Sequence, residues 1–325
     1  MIISKTPFRV SFLGGGTDLR SFYKDYSGSV ISTPIDKYMY ITLHDYFHES
    51  KFLLKYSKTE TVDSVENIEH PIIREVFKYF NLTSIDFNST ADIPAGTGMG
   101  SSSAFTNGLI NACSTLKGDK LTSHEIAKLA CEVEIDILHE PIGKQDQYGT
   151  AIGGFKRIRF NQDESVDITP ISLEEKKLTE LQNNLLLFHT NETRSASSIL
   201  SEQKHNTLNS QKVINNLKSM HSLVDQLFND LKNQNIDTFG DYLHQTWMYK
   251  KELATNVSNN LIDDLYETAM LNGAEGGKLL GAGASGFLLF YAPIEKHQTL
   301  RKALSSCREL SFNFEEEGTN IIFSK

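Results

Sequence analysis

The chain has 325 residues, 39% of them hydrophobic and 22% charged, a composition typical of a folded globular protein. Its formal net charge of −9 supplies no global positive field, which argues against nucleic acid or an anionic membrane as partner. This length predicts one large or two ordinary domains, with a hydrophobic core that is large enough to be stable without disulfide bonds.

The amino-terminal stretch and the cysteines indicate the compartment. MIISKTPFRV has no long apolar run, and no stretch of about 18 apolar residues occurs anywhere, so we expect neither a signal peptide nor a membrane span. Cys113, Cys131 and Cys307 are far apart and lack metal-ligand spacing, so we expect reduced thiols. These features predict a cytoplasmic protein with no membrane partner.

The first half of the chain alternates strands and helices. Residues rich in β-branched and aromatic side chains predict strands at Phe8–Phe12, Tyr38–Leu43, Ile85–Thr90 and Phe155–Phe160. Apolar residues at helical spacing predict a helix over Ser101–Leu116, which Gly118 ends.

A second helix follows that one. Thr122 to Glu125 form a capping box, and the helix that they open ends before Pro141. Its apolar face is predicted to include Ala130 and Ile137, with Glu134 close to that face.

The second half is also mixed. The polar stretch Asn161–Glu180 is predicted to be the seam between the halves. After it, the pattern predicts, in order, a buried strand, a long region of two helices, a helix that stops at Asn272-Gly273, a strand, a short helix and a closing strand. In the same order, the predicted bounds are Leu185–Thr190, roughly Ser195–Asn233, Asn259–Leu271, Gly286–Pro293 and Thr319–Phe323. No bounds are set for the short helix. The fold class predicted for both halves is α+β.

Three glycine-rich clusters each adjoin a regular element. They are Pro7–Asp18 (PFRVSFLGGGTD), Pro94–Phe105 (PAGTGMGSSSAF) and Gly276–Phe287 (GGKLLGAGASGF). A single cluster of this kind is usually only a tight turn. Three of them in one chain indicate places where the backbone approaches a ligand closely.

The second cluster has the features of a phosphate-binding loop. Glycines let the backbone take left-handed angles without an intervening side chain, and the first turn of the following helix has unpaired N–H groups. Those N–H groups and the helix dipole favour an anion, and the serine hydroxyls can donate to phosphate or bind Mg²⁺. The cluster contains no Walker sequence and is a poor dinucleotide fingerprint.

All three clusters resemble, in order, the motifs of the GHMP kinases, the superfamily of galactokinase, homoserine kinase and mevalonate kinase. The resemblance spans nearly the whole chain. It implies a ribosomal protein S5 domain 2-like amino-terminal domain over residues 1–180 and a ferredoxin-like carboxy-terminal domain over residues 181–325. It also implies ATP as phosphoryl donor, Mg²⁺ as cofactor and a small-molecule hydroxyl as acceptor.

The resemblance assigns roles to individual residues. The ATP loop would comprise Pro94, Gly96, Gly98, Gly100, Ser101, Ser102 and Ser103. Asp146 in GKQDQYG, twelve positions after Glu134, matches the catalytic Asp of the sugar-kinase branch and would accept or orient the hydroxyl proton. Glu134 would bind Mg²⁺ with Ser102. Arg9 matches the basic residue of the first motif and would lower the acceptor's pKa or hold Asp146. Without the resemblance, we would interpret Asp146 as a loop cap, Glu134 as a solvated carboxylate and Arg9 as an arginine on a strand surface.

The chain departs from galactokinases in the first motif. Galactokinases have G-E-H-T-D, whereas this chain has Gly14 to Asp18 as GGGTD. Gly15, Gly16, Thr17 and Asp18 would contact substrate, with Asp18 binding sugar hydroxyls. Loss of the Glu, which in galactokinases faces the C6 end of the hexose, indicates an acceptor that is longer there and anionic. The third motif has Ala284-Ser285 where relatives often have glycines, which predicts a modest backbone adjustment.

Within the superfamily, the chain is most similar to the D-glycero-D-manno-heptose 7-phosphate kinases. This similarity rests on the first eighteen residues, Ile35 to Tyr38, GKQDQYG and HTNETRSAS. It implies phosphorylation of C1 of a sugar already phosphorylated at C7, for nucleotide-heptose and surface polysaccharide synthesis. Local cations must then bind the 7-phosphate. Arg194 is the first candidate and Lys144 the second, while Lys37 and Arg20 are more simply explained as solvated charges.

Two alternatives remain. One is another anomeric sugar kinase of the fucokinase or galactokinase type, and the other is a non-catalytic nucleotide sensor. The joint presence of Asp146, Glu134 and Arg9 argues against a sensor, which needs no catalytic set. The oligomeric state is open, with a homodimer as one option.

Overall fold

The computed structural model of the protein describes residues 1–48, 50–191 and 197–325. Its strands are β1 (Ile2–Leu13), β2 (Gly28–Asp45), β3 (Phe52–Lys55), β4 (Thr59–Val62), β5 (Ile85–Ala91), β6 (Lys156–Phe160), β7 (Val166–Pro170), β8 (Leu185–His189), β9 (Gly276–Leu279), β10 (Phe287–Tyr291), β11 (Arg308–Glu309) and β12 (Asn320–Ser324). Its α-helices are α1 (Arg20–Tyr26), α2 (Pro71–Tyr79), α3 (Ser101–Lys117), α4 (Ser123–Cys131), α5 (Gln145–Ala151), α6 (Glu175–Asn183), α7 (Ser197–Asn209), α8 (Gln211–Lys232), α9 (Phe239–Lys250), α10 (Asn260–Leu271) and α11 (His297–Ala303).

The strands form two sheets. The larger sheet has the order β12-β1-β2-β5-β3-β4, and β6 pairs with β2 and with β7. Its pairs are antiparallel except that of β3 with β5. The smaller sheet, β11-β8-β10-β9, is antiparallel throughout. Because Ile2 pairs with Ser324, the end of the chain returns to the sheet in which it began.

One hydrophobic core joins the two halves. Helix α3 packs against β1 and β2, and α8 contacts the same two strands, while α9 contacts β1 and β9. Phe8, Leu109, Leu187 and Leu289 therefore belong to one cluster of buried side chains. Among the residues that the structure describes, no helix combines the length and the apolar character needed to cross a bilayer.

The sequence predicted about half of these elements and missed the others. The predicted helix over Ser101–Leu116 is α3, and the Thr122 capping box is present at the start of α4. The patterns missed α1, α2, β3, β4, α5, α9, β9 and β11. The stretch predicted as a seam, Asn161–Glu180, contains β7, which extends the larger sheet, and the first part of α6. The domain boundary at residue 180 stays a prediction.

The second predicted helix is not a continuous α-helix. The α-helix ends at Cys131, and Glu132–Ile137 form a π-helical turn in which the Leu138 N–H donates to the Val133 carbonyl at 3.0 Å. A π turn inserts an extra residue and so changes the face on which later side chains lie. Ile137 is therefore 43% exposed and not on the apolar face as predicted, whereas Glu134 is buried.

We expect Leu109→Ala to destabilise the protein. Leu109 is fully buried where α3 meets the sheet, and removal of such a side chain costs about 2–5 kcal/mol through lost burial and the cavity left behind. Chemical denaturation of the variant would measure this loss. Leu208→Ala on α7 is the control, because Leu208 is 63% exposed and a surface change costs within about 0.5 kcal/mol. Equal losses in the two variants would contradict the assigned core.

Candidate active site

The three glycine-rich clusters meet in one cleft of about 310 Å³. This volume lies in the range of small-molecule sites. The residues that line the cleft include Gly15, Gly16 and Asp18 of the first cluster, Gly96, Gly98, Gly100, Ser101, Ser102 and Ser103 of the second, Gly281 and Ala282 of the third, and Arg9, Gln145, Asp146, Gln203 and Lys250. The cleft thus draws on both halves of the chain.

The second cluster has the backbone of an anion-binding loop. Gly96, Gly98 and Gly100 have φ of 77°, 77° and 74°, the left-handed region that glycine adopts without strain. Gly100 is the N-cap of α3 and supplies no side chain to cap the helix. The first N–H groups of α3 at Ser101–Ser103 therefore face the cleft without a side-chain partner at the N-cap, and the helix dipole adds positive potential there.

Gly98 and Gly281 bring two of the clusters into direct contact. A Cβ on Gly98 would lie 2.5 Å from the Leu280 carbonyl oxygen, and one on Gly281 would lie 2.4 Å from the Gly98 Cα. Real Cβ atoms do not approach backbone so closely. The two loops therefore need glycine at both positions. Close backbone approach is what the sequence predicted for these clusters, here towards each other.

Arg9 connects the first cluster to Asp146 and to the second cluster. Its Nε and Nη2 both donate to Asp146 Oδ1, at 2.9 and 2.5 Å, and its Nη1 donates to the Gly98 carbonyl at 2.7 Å. Arg9 is 2% exposed and the Asp146 side chain 29% exposed. Among the described residues no donor bonds Asp146 Oδ2, so this oxygen is available to a ligand.

Glu134 lies behind the start of α3. Its carboxylate accepts from Ser102 Oγ at 2.7 Å, Ser103 Oγ at 2.9 Å and Gln147 Nε2 at 2.7 Å. Burial raises the pKa of this carboxyl, and the three hydrogen bonds act in the opposite direction. The buried position of Glu134 agrees with its predicted place close to the apolar face of this helix.

The oxygens of Ser102 and Glu134 fit a magnesium ion. Mg²⁺ in kinase sites is held by one or two protein oxygens together with phosphates and water. Ser102 Oγ and Glu134 Oε1 are 2.7 Å apart at the end of the helix where the phosphates would lie. Both are hard oxygen donors, as this cation requires.

Asp18 also lines the cleft. Its Oδ1 accepts from the Gly16 N–H at 2.8 Å and from Gln145 Nε2 at 3.3 Å, and its Oδ2 accepts from the Gln145 N–H at 3.3 Å. Burial raises the pKa of this carboxyl to about 6. Next to it, a Cβ on Gly15 would meet only the Gln145 amide at 3.6 Å, so this end of the cleft is open.

Several predicted site residues are not brought to the cleft. Thr17 Oγ1 donates to the Gly14 and Ser29 carbonyls, and the Pro94 carbonyl accepts from Thr97, so both support loops and do not line the cleft. The Lys144 ammonium donates to the Glu164 carboxylate at 2.5 Å and stacks over the Tyr23 ring, away from the cleft.

The remaining predicted cations have other positions. Lys37 pairs with Asp36 at 2.8 Å. Arg20 pairs with Asp136 and Glu164. Arg194, ranked first for substrate phosphate, lies outside the described residues. Ala284 has φ of 67°, the left-handed angle that glycine adopts more readily, so the third motif keeps its turn despite the substitution.

Gln145, Gln203 and Lys250 are among the cleft residues that sequence reasoning missed. Gln145 bonds both Ser11 and Asp18, and its place beside Asp146 was a usable signal. Gln203 and Lys250 gave no signal, because they occur among many polar residues of helices α7 and α9. Their side chains are 3% and 5% exposed, far less than residues of these types usually are.

Family models match both halves of the chain. Residues 67–154 match the family model for the GHMP kinases N terminal domain, and residues 227–310 match that for GHMP kinases C terminal. Together the two matches cover more than half of the chain.

Individual relatives are similar along their whole length. The D-glycero-alpha-D-manno-heptose 7-phosphate kinase of Campylobacter jejuni is 31% identical over 98% of this chain and 97% of its own. A galactokinase of Thermosipho africanus is 22% identical over 93% and 92%. The crystal structure of a D-glycero-D-manno-heptose 1-phosphate kinase from Bacteroides thetaiotaomicron has a TM-score of 0.81 at 23% identity and covers 100% of both chains, which shows a shared fold.

We expect Gly98→Ala to impair phosphoryl transfer far more than Gly118→Ala. Both glycines have positive φ, at 77° and 84°, so both variants bear the left-handed cost of about 1–2 kcal/mol. Only at Gly98 does the new Cβ collide with another loop, since nothing lies within 4 Å of a Cβ on Gly118. Steady-state kinetics should show kcat/KM for ATP lowered at least roughly tenfold in Gly98→Ala. Similar kinetics in the two variants would contradict the assigned phosphate loop.

Proposed function

The chain belongs to the GHMP kinase family, whose members use ATP as phosphoryl donor, and on that premise we propose its substrate. We propose that this sugar kinase transfers the γ-phosphoryl group of ATP to the C1 hydroxyl of D-glycero-D-manno-heptose 7-phosphate. The product would be the heptose 1,7-bisphosphate, a precursor for nucleotide-heptose and surface polysaccharide synthesis. A cytoplasmic location and a homodimer stay predictions.

The open acceptor end of the cleft carries this proposal. At Gly15 no side chain occupies the place where galactokinases have a carboxylate, and the Asp18 carboxylate remains beside it. A sugar with an extended C6–C7 end meets no steric obstacle at Gly15, and the carboxylate that galactokinases have at this position is absent. The 31% identical Campylobacter relative, which bears the heptose 7-phosphate kinase name, supports the same substrate.

Asp146 would act on the acceptor hydroxyl. Arg9 holds one carboxylate oxygen with two N–H groups and so orients the second, Oδ2, towards the cleft. A carboxylate in this position can accept the proton of the attacking hydroxyl or orient that hydroxyl for attack. Most of the remaining catalysis would come from positioning of the reactants and neutralisation of charge.

Ser102 and Glu134 would hold Mg²⁺. When bound, the ion would neutralise charge on the β- and γ-phosphates of ATP. Ser103 and Gln147 keep the Glu134 carboxylate in place through their hydrogen bonds of 2.9 and 2.7 Å. The N–H groups of Ser101–Ser103 would bind the phosphate oxygens directly.

Gln203 of α7 would bind the sugar. Its Nε2 is buried and has no hydrogen-bond partner among the residues that the structure describes, a condition that costs about 1–3 kcal/mol unless an acceptor is supplied. A Cβ on Gly16 would lie 2.4 Å from this nitrogen, so Gly16 makes the room that Gln203 occupies. A sugar hydroxyl or phosphate oxygen in the cleft would satisfy this donor.

The 7-phosphate also needs a cation. Lys144, Lys37 and Arg20 are each engaged with carboxylates outside the cleft. Arg194 therefore stays the first candidate from the sequence.

Turnover with a panel of acceptors would test the proposed substrate. We expect ADP release with Mg-ATP and heptose 7-phosphate, and little with mannose, fucose, galactose or mevalonate. Asp146→Asn should lower that turnover roughly 10²–10⁴-fold, the contribution typical of a general base. Preferred turnover of an unphosphorylated hexose would agree with a sugar kinase but contradict the proposed anionic acceptor. It would favour an enzyme of the fucokinase or galactokinase type.

We expect Gln203→Leu to weaken binding of the sugar and not of ATP. Loss of one donor should raise KM for the sugar roughly tenfold, the equivalent of about 1.4 kcal/mol, while KM for ATP changes little. Thr207→Val is the matched control, because Thr207 lies one turn later on α7, is equally buried and does not line the cleft. An equal effect of both variants on KM for the sugar would contradict the role of Gln203.

A further inference from the structure

Two buried lysines, Lys278 and Lys250, lie close to the cleft and differ in whether they line it. The Lys278 ammonium on β9 donates to the Ser11 and Phe12 carbonyls at 2.9 and 3.0 Å, and thereby joins β9 to β1. Lys278 does not line the cleft. Its buried charge is thus compensated by two carbonyl oxygens within the protein.

Lys250 differs in its partners and its position. It is the last residue of α9, and its ammonium donates to the Gly281 carbonyl, with the Leu279 carbonyl at a marginal 3.5 Å. An ammonium has three N–H donors, so donor capacity remains. Within residues 1–48, 50–191 and 197–325 no carboxylate forms an ion pair with it. A buried, unpaired cation is costly unless something else compensates its charge.

The other charges in the cleft indicate which kind of group compensates the Lys250 charge. Of the described residues that line the cleft, Arg9 and Lys250 are the two that carry positive charge. Each of the three guanidinium nitrogens of Arg9 already has a protein acceptor, on Asp146 or Gly98. A triphosphate in the cleft of a chain with net charge −9 therefore requires a further local cation.

We propose that Lys250 is a catalytic residue that contacts the phosphoryl group during its transfer and neutralises the charge there. Through Gly281 the ammonium is attached to the loop that touches Gly98, so it lies where the second and third clusters close on the phosphates. The inference rests on ATP-dependent phosphoryl transfer and not on the identity of the sugar. In the reaction the bond from the γ-phosphorus to the ADP oxygen breaks, the bond to the acceptor oxygen forms, and the hydroxyl proton passes to Asp146.

The surroundings of Lys250 give a second, pH-dependent readout. Burial, and to a smaller extent the nearby Arg9 charge, lower the pKa of Lys250 to about 8, while the Asp18 and Asp146 carboxylates act in the opposite direction. Lys278 is the other cation that faces it. The ammonium is thus charged near neutral pH and loses its charge as pH rises through about 8. Arginine at this position would stay charged over the same range.

Kinetics of Lys250→Met, Lys250→Arg and the control Lys278→Met would test this proposal. The assay uses whichever sugar of the panel turns over fastest, so a wrong sugar assignment would not affect it. We expect Lys250→Met to lower kcat roughly 100-fold or more, as loss of a transition-state donor does, while the affinity for a non-hydrolysable ATP analogue falls much less. Lys278→Met should lower the melting temperature and leave kcat near the wild-type value.

The pH profile provides the decisive comparison if Lys250→Met fails to fold. Wild-type kcat/KM for ATP should fall above about pH 8, because this quantity reports groups of the free enzyme, and Lys250→Arg should lack that decline. A decline that persists unchanged in Lys250→Arg would overturn the proposal. So would a Lys250→Met variant that keeps kcat and loses only stability, as expected of a residue that merely anchors the Gly281 loop.

Discussion

The buried guanidinium of Arg9 is the interaction that joins Asp146 to the second glycine-rich cluster. One side chain on β1 orients Asp146 on α5 through two N–H groups and holds the Gly98 carbonyl of the phosphate loop. The Arg9 backbone N–H also donates to Met99 in that loop, at 3.1 Å. Breaking such a buried pair from one side costs about 3–5 kcal/mol, because the remaining charge lacks a partner. The acceptor and donor ends of the reaction are thereby kept in one fixed arrangement.

The glycines make this arrangement compact enough to enclose a phosphate chain. Gly98 and Gly281 approach more closely than any Cβ allows, and a Cβ on Gly286 would lie 2.6 Å from the Thr97 carbonyl oxygen. Residues nearly two hundred positions apart therefore form a continuous loop surface. The sequence identified these clusters one by one, whereas the contact between them is a property of the folded chain.

Several charges are buried around the cleft at a cost in stability. Asp18 and Glu134 have carboxyl pKa values raised by burial, and Lys250 and Lys278 have ammonium pKa values lowered by it. Each shift means that folding disfavours the charged form. Natural proteins accept such local costs mainly where function needs a charge in a dry site. Substrate and metal would supply the missing counter-charges and donors.

The sequence by itself determined the elements and motifs that depend on neighbouring residues. The α3 helix, the Thr122 capping box and the three glycine clusters follow from local spacing, and the clusters in their order identified the family. Only the tertiary structure decided which charged side chains face the cleft. Lys144 lies beside Asp146 in sequence yet pairs with Glu164, whereas Lys250, distant in sequence, lines the site. The reason is physical, because the direction and partners of a long side chain depend on residues that meet it only after folding.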